Sequence, residues 1–405
     1  MEIRKLDLAD LPQAHDLSSE AFGPPPAGSP QPVPPPEPPP GRHSWGAFDG
    51  GRLVAKAVAL EFTSWFGGAE VPTCGIAGVA VAAEHRGGGL LRQLFTPLLE
   101  ESVARGEVIS TLYPTANGIY RGLGYELISS YDQVEIPTAD LARVRPPLTV
   151  RTRRATAADV PAMQEVYAAW AAAQNGPLTR TGPRYGRPAE QELADHTGVT
   201  LAVDTVDGVE QVVGWGSWVR SDGYGPQGVV EVWTLVGLSA DAYRAIWLTM
   251  ATFASVAGTV RLRTSGADPA RLVLPTAAWG HVARHAHPYS LRVSDVAGAL
   301  TARAVHVPGL AAEVPFAVAG DVFGASDGHY LLTLGDARGL CGRVSEPSGG
   351  AAVPTFTPQG IALAFAGAQS CANLRLLDHL TGPDTHDLVL DAALGGRPLH
   401  IHDYF

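Results

Sequence analysis

Lysine is almost missing from this 405-residue chain: Lys5 and Lys56 are the only two, and every other basic residue is Arg. Acidic residues outnumber basic ones 40 to 29, for a formal net charge of −11. Phosphate backbones are held by clustered Lys and Arg, so no nucleic-acid partner is expected. A negative field concentrates cations, which favours a cationic partner. Cysteine is also scarce. Cys74, Cys341 and Cys371 lie far apart without a CxxC pair, which argues against a disulfide-stapled secreted fold and against a zinc ribbon. No apolar run approaches the roughly 20 residues that span a bilayer, so no membrane partner is expected. The opening MEIRKLDLADLP has no signal-peptide core, and a cytoplasmic protein is the expectation.

What is present is an ordinary globular balance, 45% hydrophobic and 17% charged. At about 150 residues per domain the length suggests two or three domains. One stretch stands apart: Gly23 to Gly41 holds eleven of the 33 prolines and reads as an extended polyproline loop. Leu8 to Phe22 before it has a helical pattern. Ser44 to Phe48 and Arg52 to Phe62 after it read as a hairpin around Asp49-Gly50-Gly51. Then come a strand (Val71 to Val81), a Gly-rich turn, a helix (Leu90 to Arg105), a strand (Val108 to Tyr113), a short helix (Asn117 to Leu123) and a strand (Tyr125 to Ile136). Near Val150 the pattern restarts: VRTRRATAADVPAMQEVYAAWAAAQNG echoes IRKLDLADLPQAHDLSSEAFG, a weak internal repeat. A hairpin (Thr200 to Val219), a strand (Val229 to Leu238) and a helix (Ala240 to Ser255) follow. From Tyr289 the chain reads as mostly β, with Asp327-Gly328 and Gly360 as turns and one helix near Ala372 to His379.

The chemistry concentrates in GIAGVAVAAEHRGGGLLRQLF, Gly75 to Phe95. It reads as strand, then Arg86-Gly87-Gly88-Gly89, then a helix from Leu90. Glycines let a phosphate approach the backbone, and free N–H groups at a helix start attract anions. There is no GxxxxGK[ST] and no GxGxxG, which sets aside a P-loop and a dinucleotide fingerprint.

The succession VAV, HRGGGLL, a second strand and NGIYRGLGY resembles the GNAT superfamily of N-acetyltransferases. There, Arg/Gln-x-x-Gly-x-Gly/Ala cradles the pyrophosphate of acetyl-CoA. Arg86 and Gly89 match, while Leu91 replaces the final small residue. The whole chain resembles, more narrowly, the enhanced intracellular survival (Eis) family. That resemblance implies an α+β fold of tandem GNAT-like mixed-sheet domains and a sterol-carrier-like C-terminal domain. The expected division is 1–145, carrying acetyl-CoA and the active site; 146–288, GNAT-like without cofactor; and 289–405. Cofactor contacts are expected from Val79, Ala80 and Val81 on the splayed strand, from Arg86, Gly87, Gly88, Gly89, Leu90, Leu91 and Arg92, and from Thr115, Ala116 and Asn117. The resemblance also implies a homohexamer.

An amine acceptor must lose a proton and the leaving thiolate must gain one. Tyr120 stands in the family's general-acid position, with Tyr125 as runner-up. The resemblance assigns the base to the C-terminal carboxylate, here that of Phe405, and the apolar tail PLHIHDYF suits docking. The expected acceptors are polycationic amines: aminoglycosides, polyamines or lysine side chains. Asp403, Glu20 and Trp45 are candidate pocket residues. The second half has no Arg-Gly-Gly-Gly loop, so no second cofactor is expected. No metal is expected, although His281, His285 and His287 form one histidine group and His400, His402 and Asp403 another. The alternative is a non-catalytic lipid- or ligand-binding protein, with Leu332, Phe356 and Phe365 lining a cavity in the last domain.

Overall fold

The structure, a computed structural model, describes residues 1–24, 37–221, 223–275, 277–282, 287–305, 307–335, 338–346 and 352–405. Most of the polyproline stretch, and His285, lie outside the described residues.

The first segment runs β1 (Glu2–Lys5), α1 (Leu11–Phe22), β2 (Arg42–Asp49), β3 (Arg52–Phe66), β4 (Ala69–Val81), α2 (Leu90–Ala104), β5 (Ile109–Leu112), α3 (Asn117–Arg121) and β6 (Glu126–Pro137). β1 to β4 form an antiparallel meander, and α2 carries the chain over to β5, which pairs parallel with β4. Alternation sorts the long β3 by face. Ala55, Ala57 and Ala59 pack under α1 and α2 with Leu94, Phe95 and Leu98. Val58, Leu60 and Phe62 point to the opposite face.

The internal repeat reappears atom by atom. Arg4 grips Asp10 through two bonds of 2.6 and 2.9 Å, and Arg153 grips Asp159 at 2.9 and 2.7 Å. Both carboxylates also accept a backbone N–H three residues earlier, from Asp7 and Thr156, and a Pro opens each following helix. The bidentate guanidinium holds each carboxyl below the usual carboxylate range.

Strand β6 joins two meanders into one thirteen-stranded sheet. Glu126 to Tyr131 pair with strand His287–Val293, and Asp132 to Pro137 pair with Ala257–Thr264 of the second segment. His287–Val293 is itself inserted between β5 and β6. The chain therefore returns to the first sheet just where the third segment begins.

A five-stranded sheet and helices Val296–Ala302, Pro358–Ala366, Cys371–Leu376 and Asp387–Leu394 complete the chain. The sequence reading of one helix in this region needs correction. PQGIALAFA is apolar all round and carries no amphipathic period, because Pro358–Ala366 is buried on almost every side. Gly360 is not a turn but a close approach inside that helix, where a Cβ would sit 2.1 Å from the His379 carbonyl oxygen. Leu332, Phe356 and Phe365 belong to one continuous packed core. A buried ion pair ties this segment to the first: Arg292 donates to Asp321 at 2.8 Å and to the Leu123 carbonyl at 3.0 Å. Among the described residues no helix is long and apolar enough to cross a membrane.

Candidate active site

Strands β4 and β5 are paired only from Thr73–Ile109 to Ile76–Leu112. Beyond that β5 ends while β4 runs on to Val81, so Val79, Ala80 and Val81 have a neighbour on the β3 side only. A bulge turns the strand here. Two residues, Gly78 and Val79, sit opposite the single Ala57, one more than regular pairing holds, and Gly78 takes φ +55°.

The strand leads directly into the glycine turn. Gly87 and Gly89 have φ of +79° and +72°, a region that favours glycine. Gly89 is the N-cap of α2 and no side chain caps the helix. A Cβ at Gly87, Gly88 or Gly89 would meet no side chain within 4 Å. Among the described residues the amides of Gly87 to Leu91 find no acceptor, so the positive end of a 15-residue helix is open. Leu90 is buried and Leu91 half-buried in the helix–sheet core, so each offers its N–H rather than its side chain. Arg86 is exposed with Nε on the Val81 carbonyl at 3.1 Å, and Arg92 reaches the Val322 carbonyl at 2.8 Å.

Thr115, Ala116 and Asn117 follow β5 into α3. The first two are exposed, and the Asn117 Oδ1 is buried without a partner. Tyr120, on α3, is 7% exposed between Phe95 and Tyr125, and among the described residues no hydrogen-bond partner reaches its hydroxyl. Burial pushes it up to about 12. Tyr125 is committed elsewhere: its hydroxyl lies 2.7 Å from Ser110 Oγ.

The C-terminal tail is built into the molecule. Asn175 brackets it, donating its N–H to Pro398 and accepting from the His400 N–H, both at 2.9 Å. The Asn175 side chain accepts from Gly67 of the first segment and donates to Ala366 of the third. Asp403 accepts from Arg180 at 2.9 Å and from the Tyr167 hydroxyl at 3.2 Å, and its carbonyl accepts from the Tyr113 hydroxyl. The Phe405 ring then lies against Phe62 (4.9 Å), Tyr113 (5.4 Å) and Tyr289 (6.3 Å), on the face of β3 and β4 away from α1 and α2.

Residues 2–128 match the acetyltransferase (GNAT) domain family. An uncharacterized N-acetyltransferase of Streptomyces coelicolor is 30% identical over 303 residues, 69% of this chain and 68% of that protein. One from Streptomyces avermitilis is 29% identical over 332 residues, 75% of each chain. The chain belongs to the GNAT N-acetyltransferases. Its fold over the full length is similar to a GCN5-related N-acetyltransferase from Kribbella flavida (TM-score 0.81, 29% identity, 100% of this chain and 98% of that one). The fold is also similar to that of Eis1 from Mycobacterium abscessus (TM-score 0.73, 20% identity, all of both chains).

The acetyltransferase fold implies acetyl-CoA as cosubstrate, and the residues present fit it. An uncapped helix end, glycines with open space where a Cβ would stand, and a strand edge without a partner suit a pyrophosphate followed by an amide-bearing arm. In the second segment the corresponding helix end is closed: Ser239 Oγ accepts from the Ala242 N–H at 3.1 Å.

Two of the three pocket candidates from sequence lie elsewhere in this acetyltransferase. Trp45 donates to Glu101 on α2, and Glu20 accepts from the Ala83 N–H, so both serve the helix side of the sheet. Asp403 is near Phe405 but already engaged. His281 pairs through its backbone with β6 at Val134, and His287 with Tyr131. Among the described residues no three His, Cys, Asp or Glu side chains converge as metal ligands would. Sequence reasoning missed Asn175 and Arg180, which hold the tail from the second segment. A buried Asn carries no sequence signature, and the role of Arg180 rests on its contact with Asp403, 223 residues away in the chain.

Proposed function

We propose that this acetyltransferase moves an acetyl group from acetyl-CoA to an amine by direct attack, as an Eis-like member of the family. The observation that carries the reading is the open start of α2 at the end of a bulged strand that has lost its parallel partner. In this reading residues 1–145 bind the cosubstrate, 146–288 support the site without binding one, and the sterol-carrier-like 289–405 supplies the chain terminus. Gly87, Gly88, Gly89, Leu90 and Leu91 hold the pyrophosphate through backbone amides, with the side chains of Arg86 and Arg92 beside them. Val79, Ala80 and Val81 pair with the pantetheine arm, and Thr115, Ala116 and Asn117 close its far side. The cosubstrate supplies an activated thioester.

The chain's own groups then manage protons. Tyr120 stays protonated throughout the working range because burial raises it, and it can give its proton to a departing thiolate. The base in this reading is the backbone carboxylate of Phe405, whose side-chain ring anchors the chain end among Phe62 and Tyr113. Donors at the strand edge favour developing negative charge. The Eis resemblance also implies a homohexamer, whose mass light scattering on the purified protein would read.

The test is coenzyme A release over a panel of amines, with Tyr120→Phe and a Gly-Ser extension beyond Phe405 beside the wild type. Each change should lower kcat by about 100-fold or more with acetyl-CoA affinity kept. An extended protein that turns over at the wild-type rate removes Phe405 as base. No release with any amine overturns the reading.

A further inference from the structure

The face of the first sheet that carries the Phe405 ring is cationic. Lys56 and Arg42 stand on it with Val58 and Leu60, in register across β2 and β3. Lys56 is 6% exposed, and its Nζ lies 4.0 Å from where a Cβ on Gly78 would stand, beside the bulge of β4. Arg184 comes over from the second segment, its guanidinium 5.5 Å from the centre of the Phe62 ring. No Asp or Glu among the described residues pairs with any of the three. The nearby acids are turned away: Glu61 is bound to His43 at 2.6 Å, and Asp403 to Arg180. Residues 25–36 contain no acid at all. Burial, with Arg42 adding repulsion, lowers Lys56 to about 8, and Arg42 is lowered by desolvation and by Arg184.

An unpaired ammonium so deeply buried is costly unless something negative joins it. A polycationic acceptor would add like charge to that cost. The rest of the wall is apolar: Val58, Leu60, Phe62 and Tyr185 cluster with Phe405. From the acetyl-transfer reading above, we infer that the acceptor is an apolar or aromatic primary amine that carries a carboxylate, held by Lys56, Arg42 and Arg184. The net charge of −11 pointed to polycations, but a whole-chain sum does not describe the field at one face.

The test compares phenylalanine with phenylalaninamide as acceptors. It also compares calorimetric binding of their N-acetyl products to the protein without cosubstrate. The acid should show at least ten-fold higher kcat/KM, and its acetyl product at least ten-fold tighter binding. Lys56→Met should bring both ratios toward one while coenzyme A affinity holds. Arg184→Gln, on a half-exposed loop, gives the same readout should the Lys56 variant fail to fold. Equal affinity for acid and amide, or preferred turnover of spermine, overturns the inference and leaves acetyl transfer intact. Equal losses for acid and amide in both variants would assign the cations to the chain's own terminus and also overturn it. Tight binding of the acid with no coenzyme A release from any amine would instead sink the acetyl-transfer reading alone.

Discussion

Replacing Arg292 by Met should show how far the site depends on the third segment. Arg292 is 1% exposed and donates to Asp321 and to the Leu123 carbonyl, in the turn that follows Tyr120. Met keeps much of the volume and removes the charge. Breaking a buried pair on one side costs about 3–5 kcal/mol, because the remaining charge is left uncompensated. Asp321 keeps two other donors, the N–H groups of Ser326 (2.9 Å) and Phe323 (3.2 Å), so the low end, about 3 kcal/mol, is expected. The pH dependence has a defined sign. In the wild type Asp321 is held below its ordinary value by Arg292, so its contribution is present above the unfolded pKa of about 3.9 and is lost as pH falls. Without Arg292, desolvation raises Asp321, so the variant's penalty is full at pH 7 to 8 and shrinks as the pH approaches 4. Urea unfolding followed by tryptophan fluorescence, at pH 5 and pH 7.5, measures both. Asp321→Asn added to Arg292→Met should recover more than half of the loss at pH 7.5. A single variant that loses under 1 kcal/mol, or whose loss is independent of pH, would refute this account of the pair.

Three further outcomes follow from particular positions. Gly89→Val places a β-branched side chain at φ +72°, so coenzyme A affinity by calorimetry should fall more than ten-fold while stability drops by about 2 kcal/mol; unchanged affinity would count against the helix start as the anion site. Gly360→Ala puts a methyl group 2.1 Å from the His379 carbonyl oxygen, so the unfolding free energy, read from a urea titration, should fall by about 1–3 kcal/mol, although an exposed helical glycine would gain from the same change. Ser239→Ala should cost about 1 kcal/mol in unfolding experiments and leave coenzyme A affinity untouched, since that helix end is already closed; a weakened affinity would place a binding site in the second segment.

Local chemistry in the sequence determined the strand–glycine–helix unit at Val79 to Arg92, because positive φ and free amides are properties of a few consecutive residues. It also determined the two Asp-Pro helix starts, whose bonds close within six residues. Of the last segment's helices Cys371–Leu376 was legible, whereas Pro358–Ala366 escaped, since a helix buried on almost every side has no polar face to reveal its period. Tertiary structure alone decided which groups share the face that carries Phe405. Lys56 of β3, Arg42 of β2, Arg184 of the second segment and the tail are far apart in the chain and meet only once the segments pack. It also decided the tail's position, through Asn175, Arg180 and Tyr113 from different segments. Net charge is additive along a chain, whereas the field at a site depends on which few charges are brought together and stripped of water.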